Sequence, residues 1–382
     1  MDRELAHVEK IVEINPIEGA DNVELATVLG WHVMVKKGQF KPGDLGIYIE
    51  IDSRCPKTEP FAFLEKKHYA VKTRKYFKGT VLSQGLLMHP EDLGLDPASL
   101  KEGQGLTEQL GITYYEPEDT KRKAPSVDKY KKMAQRHPKI CSTKFGRWLM
   151  RRNWGKKLLF LILGRKRDKK GGWPEWVVKT DETRCQNMPW VVNDKSPWVA
   201  TEKVDGTSAT YTMKRGRRGK NDFYVCSRNV VQEDEGQKTY YDSNVYWEIC
   251  KKYKIEEALT DILQKRPDLD WVTIQGEIYG EGIQKRSYSM KCHNFMAFNL
   301  IYSNRGRFST QEMTDLLMSY GIPCVPIVDD GYILPDTIDE LLEHATGESV
   351  IDGGMREGLV FRSQDGTRSF KAVSNEYLLK YH

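Results

Sequence analysis

Residues 201–207 read Thr-Glu-Lys-Val-Asp-Gly-Thr, and this stretch decides how the larger part of the chain folds. It lies between the apolar residues 198–200 and the strand-like residues 208–212. Lys203 therefore stands at the end of one predicted strand, and Gly206 allows a tight turn into the next. A lysine placed in this way can present its amine to a pocket as a nucleophile, for example toward the α-phosphate of a nucleotide.

A Lys-x-Asp-Gly tetrapeptide arises often by chance, so its meaning depends on the rest of the sequence. Five side chains of suitable chemistry follow in order, at or beside predicted strands: Arg228, Glu277, Phe298, Glu357 and Lys371. Carboxylates can hold a hydrated divalent cation, an aromatic ring can stack on a base, and basic side chains can bind phosphate. The whole series is much more specific than the tetrapeptide.

This order and spacing resembles the covalent nucleotidyltransferase superfamily of ATP-dependent ligases and mRNA capping enzymes, over most of residues 198–375. The resemblance implies that Lys203 and Lys371 are catalytic. Lys203 would carry AMP covalently after reaction with ATP, and Lys371 would lie at the α-phosphate. The implied fold class is α+β, with a C-terminal nucleotidyltransferase (ATP-grasp-like ligase adenylylation) domain of antiparallel sheets and helices.

The resemblance also implies which residues bind the nucleotide and the metal. Arg228 would lie near the ribose or the nucleic-acid end, Phe298 would stack on the base, and Glu202 would shape the adenine pocket. Glu277 and Glu357 would hold Mg²⁺ or Mn²⁺. The implied nucleotide-binding residues together are Glu202, Arg228, Glu277, Phe298 and Lys371.

The amine of Lys203 must lose its proton before it can attack, because a free lysine has a pKa of roughly 10.4. A hydrated divalent cation beside the amine disfavours the ammonium form and stabilises charge on the α-phosphoryl group. Lys371 would add to that stabilisation. One position departs from the superfamily: many relatives carry Lys-x-Lys in this last motif, whereas this chain has Val373 in place of the second lysine.

Residues 1–115 predict a small β-rich domain. Short strands separated by turns are expected at 11–14, 24–29, 31–35 and 46–51. Strands at this spacing suit a small barrel such as the five-stranded OB fold. The segments 15–21, 37–44 and 46–53 also resemble OB domains of the tRNA-binding kind. We therefore expect an OB-like, nucleic-acid-binding β-barrel domain at the N-terminus.

Residues 196–382 predict the α+β domain. Helices are expected at 244–264, at 309–320 and at 337–344. The second of these begins with the capping-box signature Ser-Thr-Gln-Glu. Strands are expected at 271–279, 295–302, 359–362 and 369–373.

Residues 116–195 predict a basic connector between the two domains. Within it, residues 121–172 hold 19 Lys and Arg residues and only two acids, although the whole chain has a net charge of +5. Such a block favours salt-sensitive contact with a polyanion, and its aromatic residues could stack on bases. A peripheral membrane surface and a solvated face whose aromatics pack on a domain are the alternatives.

The composition and the apolar runs indicate the cellular compartment in which the protein acts. The seven cysteines are scattered without a Cys-x-x-Cys pair, which indicates free thiols in an intracellular, reducing compartment, the cytoplasm or the nucleus. The N-terminus has no apolar run that would form a secretory signal. The longest apolar run, residues 158–163, is too short to span a bilayer.

The position of the β domain separates branches of the superfamily. DNA ligases and capping enzymes usually carry an OB domain after the last motif, but only 11 residues follow Lys371. Here the β domain comes first, and residues 179–187 resemble the lead-in to the nucleotidyltransferase domain of Naegleria-type RNA ligases. We therefore expect an ATP-dependent RNA ligase with an N-terminal OB domain.

The predicted activity is the sealing of 3′-OH and 5′-phosphate RNA ends through a lysyl-AMP and an RNA-adenylate, as in RNA repair. The predicted partner is RNA, for example a duplex with a nick, and the protein is expected to be a monomer without a membrane span. A DNA ligase or an mRNA guanylyltransferase would use the same lysine chemistry. A non-catalytic OB-type RNA-binding protein would form no covalent nucleotide.

Overall fold

The computed structural model of the chain describes residues 4–115, 140, 143–150, 152, 154–157, 159, 173–179, 181–216, 220–232, 241 and 244–381. Most of the predicted connector at 116–195, including most of its basic block, lies outside the described residues. The two predicted domains lie almost wholly within them.

Short antiparallel strands build the N-terminal domain: β1 Ala6–Lys10, β2 Glu13–Pro16, β3 Val23–Val28, β4 Trp31–Lys36, β5 Leu45–Ile49, β6 Ser53–Arg54, β7 Ala70–Val71, β8 Arg74–Tyr76, β9 Val81–Ser83, β10 Leu86–Met88 and β11 Thr113–Tyr114. They pair as the sheets β1-β5-β10, β2-β3-β4, β11-β6-β7 and β8-β9. A turn of 3₁₀ helix at Glu59–Lys67 precedes β7. The expected OB-like β domain is confirmed.

The first predicted strand, at 11–14, is displaced in the structure. Ile11 and Val12 form the link between β1 and β2 instead, and their amides donate to the carbonyl oxygens of Asp44 and Thr27, both at 2.9 Å. Sequence reasoning also missed β1. The remaining expected strands of this domain agree with β3, β4 and β5 to within two residues.

Strands of the C-terminal domain follow in the order β12 Trp198–Glu202, β13 Thr207–Lys214, β14 Asp222–Ser227, β15 Val231–Gln232, β16 Trp271–Tyr279, β17 Asn294–Tyr302, β18 Gly306–Arg307, β19 Ile327–Tyr332, β20 Gly358–Ser363 and β21 Ser369–Val373. The described strands pair into two sheets, β15-β14-β13-β16-β17-β18 and β19-β12-β20-β21, with antiparallel neighbours. Since β12 and β13 are consecutive but belong to different sheets, the chain crosses between the sheets at Lys203.

Helices lie at α1 Lys144–Met150, α2 Val245–Lys252, α3 Ile255–Lys265, α4 Thr310–Ser319, α5 Ile338–Ala345 and α6 Asn375–Tyr381. Apolar side chains of α2, α3 and α4 pack on the six-stranded sheet and form its core. A smaller core that includes Leu341 and Leu342 of α5 covers the four-stranded sheet. None of the described helices is long and apolar enough to cross a membrane.

One predicted helix is two helices in the structure. The apolar periodicity of 244–264 continues through Lys254, but this residue adopts a left-handed conformation, with φ 50°, and separates the first helix, which ends at Lys252, from the second. The expected capping box is confirmed: the Ser309 side chain accepts from the Glu312 amide, and the Glu312 side chain accepts from the Ser309 amide. A second capping box, between Thr337 and Glu340, begins α5.

The two domains contact each other beside the strand that carries Lys371. Leu82 of β9 packs with Val373 of β21 and Leu378 of α6. Nearby, the Lys75 ammonium of β8 donates to the carbonyl oxygen of Leu379 at 2.5 Å. The N-terminal domain is therefore fixed against both the last strand and the last helix of the C-terminal domain.

Candidate active site

Lys203 lies in the loop between β12 and β13, at the junction of the two sheets. Its backbone amide donates to the carbonyl oxygen of Gly358 at 3.0 Å, which ties the start of the loop to β20. The side chain extends into a cavity of about 310 Å³ between the sheets. The predicted placement of a lysine at a strand end, facing a pocket, is confirmed.

Gly206 allows this loop to lie directly on β16. A Cβ atom at Gly206 would come within 2.2 Å of the Ile278 carbonyl oxygen and 2.9 Å of the Glu277 Cγ. Any side chain would therefore push the loop away from the strand that carries Glu277. This close approach explains why glycine follows Asp205 in the motif.

The carboxylates predicted to bind the metal lie around the Lys203 amine. The Lys203 Nζ donates to the Glu357 Oε2 at 2.6 Å. Burial lowers the pKa of Lys203, but Glu357 and Glu277 outweigh that effect and raise it above the ordinary lysine value. Burial and the charge of Glu357 together raise the pKa of Glu277 to about 8, against the lowering effect of Lys203.

Glu277 and Glu357 suit a hydrated divalent cation. Within the described ranges, no three His, Cys, Asp or Glu side chains come close enough together to hold a metal ion on their own. Mg²⁺ commonly keeps several waters and takes only one or two protein carboxylates. The repulsion between two buried carboxylates, which contributes to the raised pKa of Glu277, is a repulsion that a cation would relieve.

Lys371 and Arg228 also line the cavity and share one acidic partner. The Lys371 ammonium lies 3.0 Å from the Asp181 Oδ1, and the Arg228 guanidinium lies 2.9 Å from the Asp181 Oδ2. Burial lowers the pKa of Lys371, Asp181 opposes that effect, and the positive charge of Lys203 adds to it. All three side chains line the cavity with Lys203.

Glu202 and Phe298 line the same cavity. Both carboxylate oxygens of Glu202 already accept hydrogen bonds, from the Ser349 hydroxyl at 2.5 Å and the Val350 amide at 2.7 Å. Glu202 thus fixes the 349–350 segment against the pocket. Phe298 is half-buried against the apolar cluster that contains Val204. The nucleotide-binding roles of Glu202, Arg228, Glu277, Phe298 and Lys371 stay predictions.

Asp205 of the motif lies away from the cavity lining and is held by two tyrosines. Its amide donates to the Tyr288 hydroxyl oxygen at 2.6 Å, and the Tyr377 hydroxyl donates to its Oδ2 at 2.7 Å. Both tyrosines are fully buried. Asp205 therefore anchors the loop of Lys203 to the C-terminal helix.

Sequence reasoning assigned no role to several residues of the segment that precedes β12. The Lys371 amide donates to the Thr183 carbonyl oxygen at 2.8 Å, which aligns this segment with β21. As a result Arg184 lies close enough to Lys371 to lower its pKa. The Arg184 guanidinium also lies 5.4 Å from the Trp31 ring of the N-terminal domain, and its buried Nη1 has no hydrogen-bond partner among the described residues. The sequence signal for this segment is the lead-in at 179–187.

Val373 occupies an apolar environment, which explains the departure from Lys-x-Lys. Its side chain is 2% exposed and packs with Leu82 and Leu378 at the contact between the domains. A lysine at this position would place an ammonium group in that contact at a large desolvation cost.

The comparisons with known proteins agree with this geometry. An RNA ligase family model matches residues 196–382, and an OB-fold domain model matches residues 5–89. The search of curated proteins finds no match.

Solved structures of the Naegleria gruberi RNA ligase are similar to the whole chain at 28% sequence identity. A variant of that enzyme with ATP and Mn, and another with AMP and Mn, each match with a TM-score of 0.68, covering 99% of both chains. The same enzyme with PPi matches with a TM-score of 0.67 and the same coverage. With a lysine-centred site in residues 196–382 and an OB domain ahead of it, the chain belongs to the RNA ligase family.

Proposed function

We propose that this chain is an ATP-dependent RNA ligase that seals a 3′-OH to a 5′-phosphate. One observation carries the proposal: Lys203 extends into a cavity between two sheets, where Glu277, Glu357 and Lys371 surround its amine. This arrangement supplies a nucleophile, ligands for a divalent cation and a cation for phosphate. The likeness to a ligase solved with ATP and Mn supports ATP as the nucleotide.

Three phosphoryl transfers account for the reaction. The deprotonated Lys203 amine forms a bond to the α-phosphorus of ATP, and pyrophosphate leaves. An oxygen of the RNA 5′-phosphate then attacks the AMP phosphorus, which breaks the bond to Lys203 and gives RNA-adenylate. Finally the RNA 3′-OH attacks the activated 5′-phosphate, and AMP leaves. Positioning and charge stabilisation supply most of the catalysis in such transfers.

Each side chain of the site has a role that follows from its position. A divalent cation held by Glu277 and Glu357 would favour the neutral amine and stabilise charge on the α-phosphoryl group. Lys371, which lines the same cavity, would help to neutralise that phosphoryl group. Phe298, on the cavity wall, would stack on the adenine.

The proposal includes the oligomeric state, the form of the RNA and the cellular compartment of the enzyme. We propose that it acts as a monomer on RNA such as a nicked duplex. The scattered cysteines, six of which are free thiols among the described residues, support an intracellular, reducing compartment.

The test is covalent labelling of the protein by ATP. Wild-type protein incubated with ATP and Mn²⁺ or Mg²⁺ should gain one AMP, which peptide mapping places on Lys203. Lys203→Ala should gain none, whereas Lys291→Ala, a change at an exposed lysine outside the cavity, should label normally. An adduct that persists in Lys203→Ala would exclude the proposed mechanism.

Substrate preference separates the proposal from enzymes of the same chemistry. A guanylyltransferase would label with GTP rather than ATP, and a DNA ligase would seal nicks whose 3′-OH strand is DNA. We expect labelling by ATP and sealing that requires RNA at the 3′-OH side of the nick.

A further inference from the structure

The β6–β11 ribbon, which is the pair of strands at one end of the three-stranded sheet β11-β6-β7 of the OB domain, has a cavity on each side. Thr113 pairs with Arg54 across the ribbon, and Tyr114 pairs with Ser53. Because successive side chains of a strand point to opposite faces, the first pair and the second pair face different cavities. Neighbouring strands lie only about 5 Å apart, so the ribbon is a thin partition.

One of these cavities belongs to the catalytic site. Tyr114, which is 47% exposed, lines it together with Asp52 of the OB domain. Lys371 and Arg228 line it from the ligase domain. The OB domain therefore places a half-exposed aromatic ring directly beside the cations predicted to bind phosphate.

The other cavity, of about 600 Å³, is rich in basic side chains. Arg54, Lys57 and His68 line it, together with one acid, Glu65. The Arg54 guanidinium and the Lys72 ammonium lie 4.9 Å and 4.1 Å from the centre of the Tyr115 ring. Tyr115 thus holds two cations beside this cavity.

These cations have no acidic partner in the described part of the chain. No ion pair there includes Arg54, Lys57 or Lys72, and the Arg54 Nε is buried without a hydrogen-bond partner. By contrast, Lys203, Arg228 and Lys371 of the catalytic cavity are each paired with an acid. Unpaired cations along a groove fit an external polyanion.

We propose that one RNA strand passes from the catalytic cavity over Tyr114 and across the β6–β11 ribbon, with its phosphates bound by Arg54, Lys57 and Lys72. Tyr114 stacks on a base next to the joined end, which is a sequence-tolerant contact. The basic groove, which is the second cavity with Arg54 and Lys57 in its lining and Lys72 beside it, binds the RNA backbone. Such backbone contacts carry no sequence information. This inference rests on the proposed function, because it concerns the substrate of the same site.

The test of the groove compares two double variants of the full chain. Lys57→Gln with Lys72→Gln removes two groove cations, whereas Lys37→Gln with Lys41→Gln removes two exposed lysines elsewhere on the OB domain. The groove variant should seal a nicked RNA duplex at least ten-fold more slowly at 150 mM salt. The slope of log affinity for RNA against log salt should fall by about one per lysine. Equal slopes and rates in the two double variants would overturn the groove.

The test of Tyr114 uses a matched pair of substitutions. Tyr114→Phe keeps the ring and should seal like the wild type, whereas Tyr114→Ala should seal at least ten-fold more slowly. Equal sealing by these two variants would overturn the stacking contact. Lysyl-AMP formation from ATP without RNA is measured in the wild type and in every variant. If the wild type forms no lysyl-AMP, the proposed function is contradicted. The salt slope of RNA binding tests the groove separately.

Discussion

At the scale of single residues, Gly206 links the loop of Lys203 to Glu277, the carboxylate predicted to bind the metal. The loop that carries Lys203 lies on β16 so closely that the position of a Cβ at Gly206 is occupied by the Ile278 carbonyl oxygen and the Glu277 Cγ. Because both atoms belong to β16, a change at Gly206 alters the distance between the nucleophile and Glu277.

We expect Gly206→Ala to form little or no lysyl-AMP. The added methyl group clashes with strand backbone, which cannot rotate away, and overpacking of this kind costs about 1–3 kcal/mol in the free energy of unfolding. Gly331→Ala is the control, since the nearest atom to a Cβ there lies 4.0 Å away. Mass spectrometry of the AMP adduct measures the loss of labelling, and chemical denaturation measures the change in the free energy of unfolding. Normal labelling of Gly206→Ala would contradict this account of the motif.

At the scale of secondary-structure elements, α6 joins the loop that carries Lys203 to the OB domain. Tyr377 on α6 donates to Asp205, two residues after Lys203, and is fully buried. On the same helix, Leu378 packs against Leu82 of the OB domain. The last helix therefore positions the catalytic loop relative to the N-terminal domain.

Tyr377→Phe should slow lysyl-AMP formation about ten-fold. The substitution removes a buried hydrogen bond to a carboxylate, which is worth about 1.5–3 kcal/mol, and it keeps the ring that packs in the core. Tyr381→Phe is the matched control, because Tyr381 lies on the same helix and its ring centre is 4.6 Å from that of Tyr377. The measurement is the rate of AMP transfer to Lys203 under single-turnover conditions, in Tyr377→Phe and in Tyr381→Phe. Equal rates would show that the hydrogen bond does not position Lys203.

Most elements of the C-terminal domain were predictable, and the exceptions have local causes. The strands β16 and β17 are rich in apolar residues, and the start of α4 has an explicit capping box. The break at Lys254 was not predictable, because a lysine carries no signal for a left-handed residue. Likewise, β19 was missed because its Asp-Asp-Gly centre reads as a turn.

Site residues that belong to a sequence motif could be predicted. Site residues that are positioned by a tertiary contact could not. Lys203, Glu277 and Lys371 were identified by motif, and the structure brings them together. The contact of Asp205 with Tyr377 joins residues 172 positions apart. No periodicity or spacing could indicate such a pair, because only the completed fold brings them within hydrogen-bond distance.

At the scale of the whole molecule, a buried charged chain of hydrogen bonds connects the domains. The His7 ring lies 2.7 Å from the Glu9 carboxylate and 3.3 Å from the Glu50 carboxylate. Glu50 also accepts from the Asn187 side chain at 3.0 Å, in the segment that precedes the catalytic strand. Burial lowers the pKa of His7, but Glu50 and Glu9 outweigh this effect and raise the pKa to about 9.

The protonated His7 should make stability depend on pH. Since its pKa is about 9 when folded and roughly 6.5 when unfolded, its contribution is complete below pH 6.5 and is lost as pH rises through 9. We expect His7→Gln to lower the free energy of unfolding by on the order of 3 kcal/mol at pH 6.5. The difference from wild type should shrink toward pH 9.5. Urea unfolding across this range, with His32→Gln as control, checks the trend; a difference that is constant with pH would contradict it.

Finally, Asp181 and Glu357 act as built-in counter-ions of the pocket. Asp181 is shared by Lys371 and Arg228, while Glu357 neutralises Lys203. A phosphate that binds these cations therefore displaces a carboxylate of the protein and does not bind unpaired positive charge. Such an exchange weakens the net hold on each phosphate, because the displaced acid competes for the same cations. That competition suits an enzyme that must release pyrophosphate, AMP and the sealed strand from one set of cations within a single cycle.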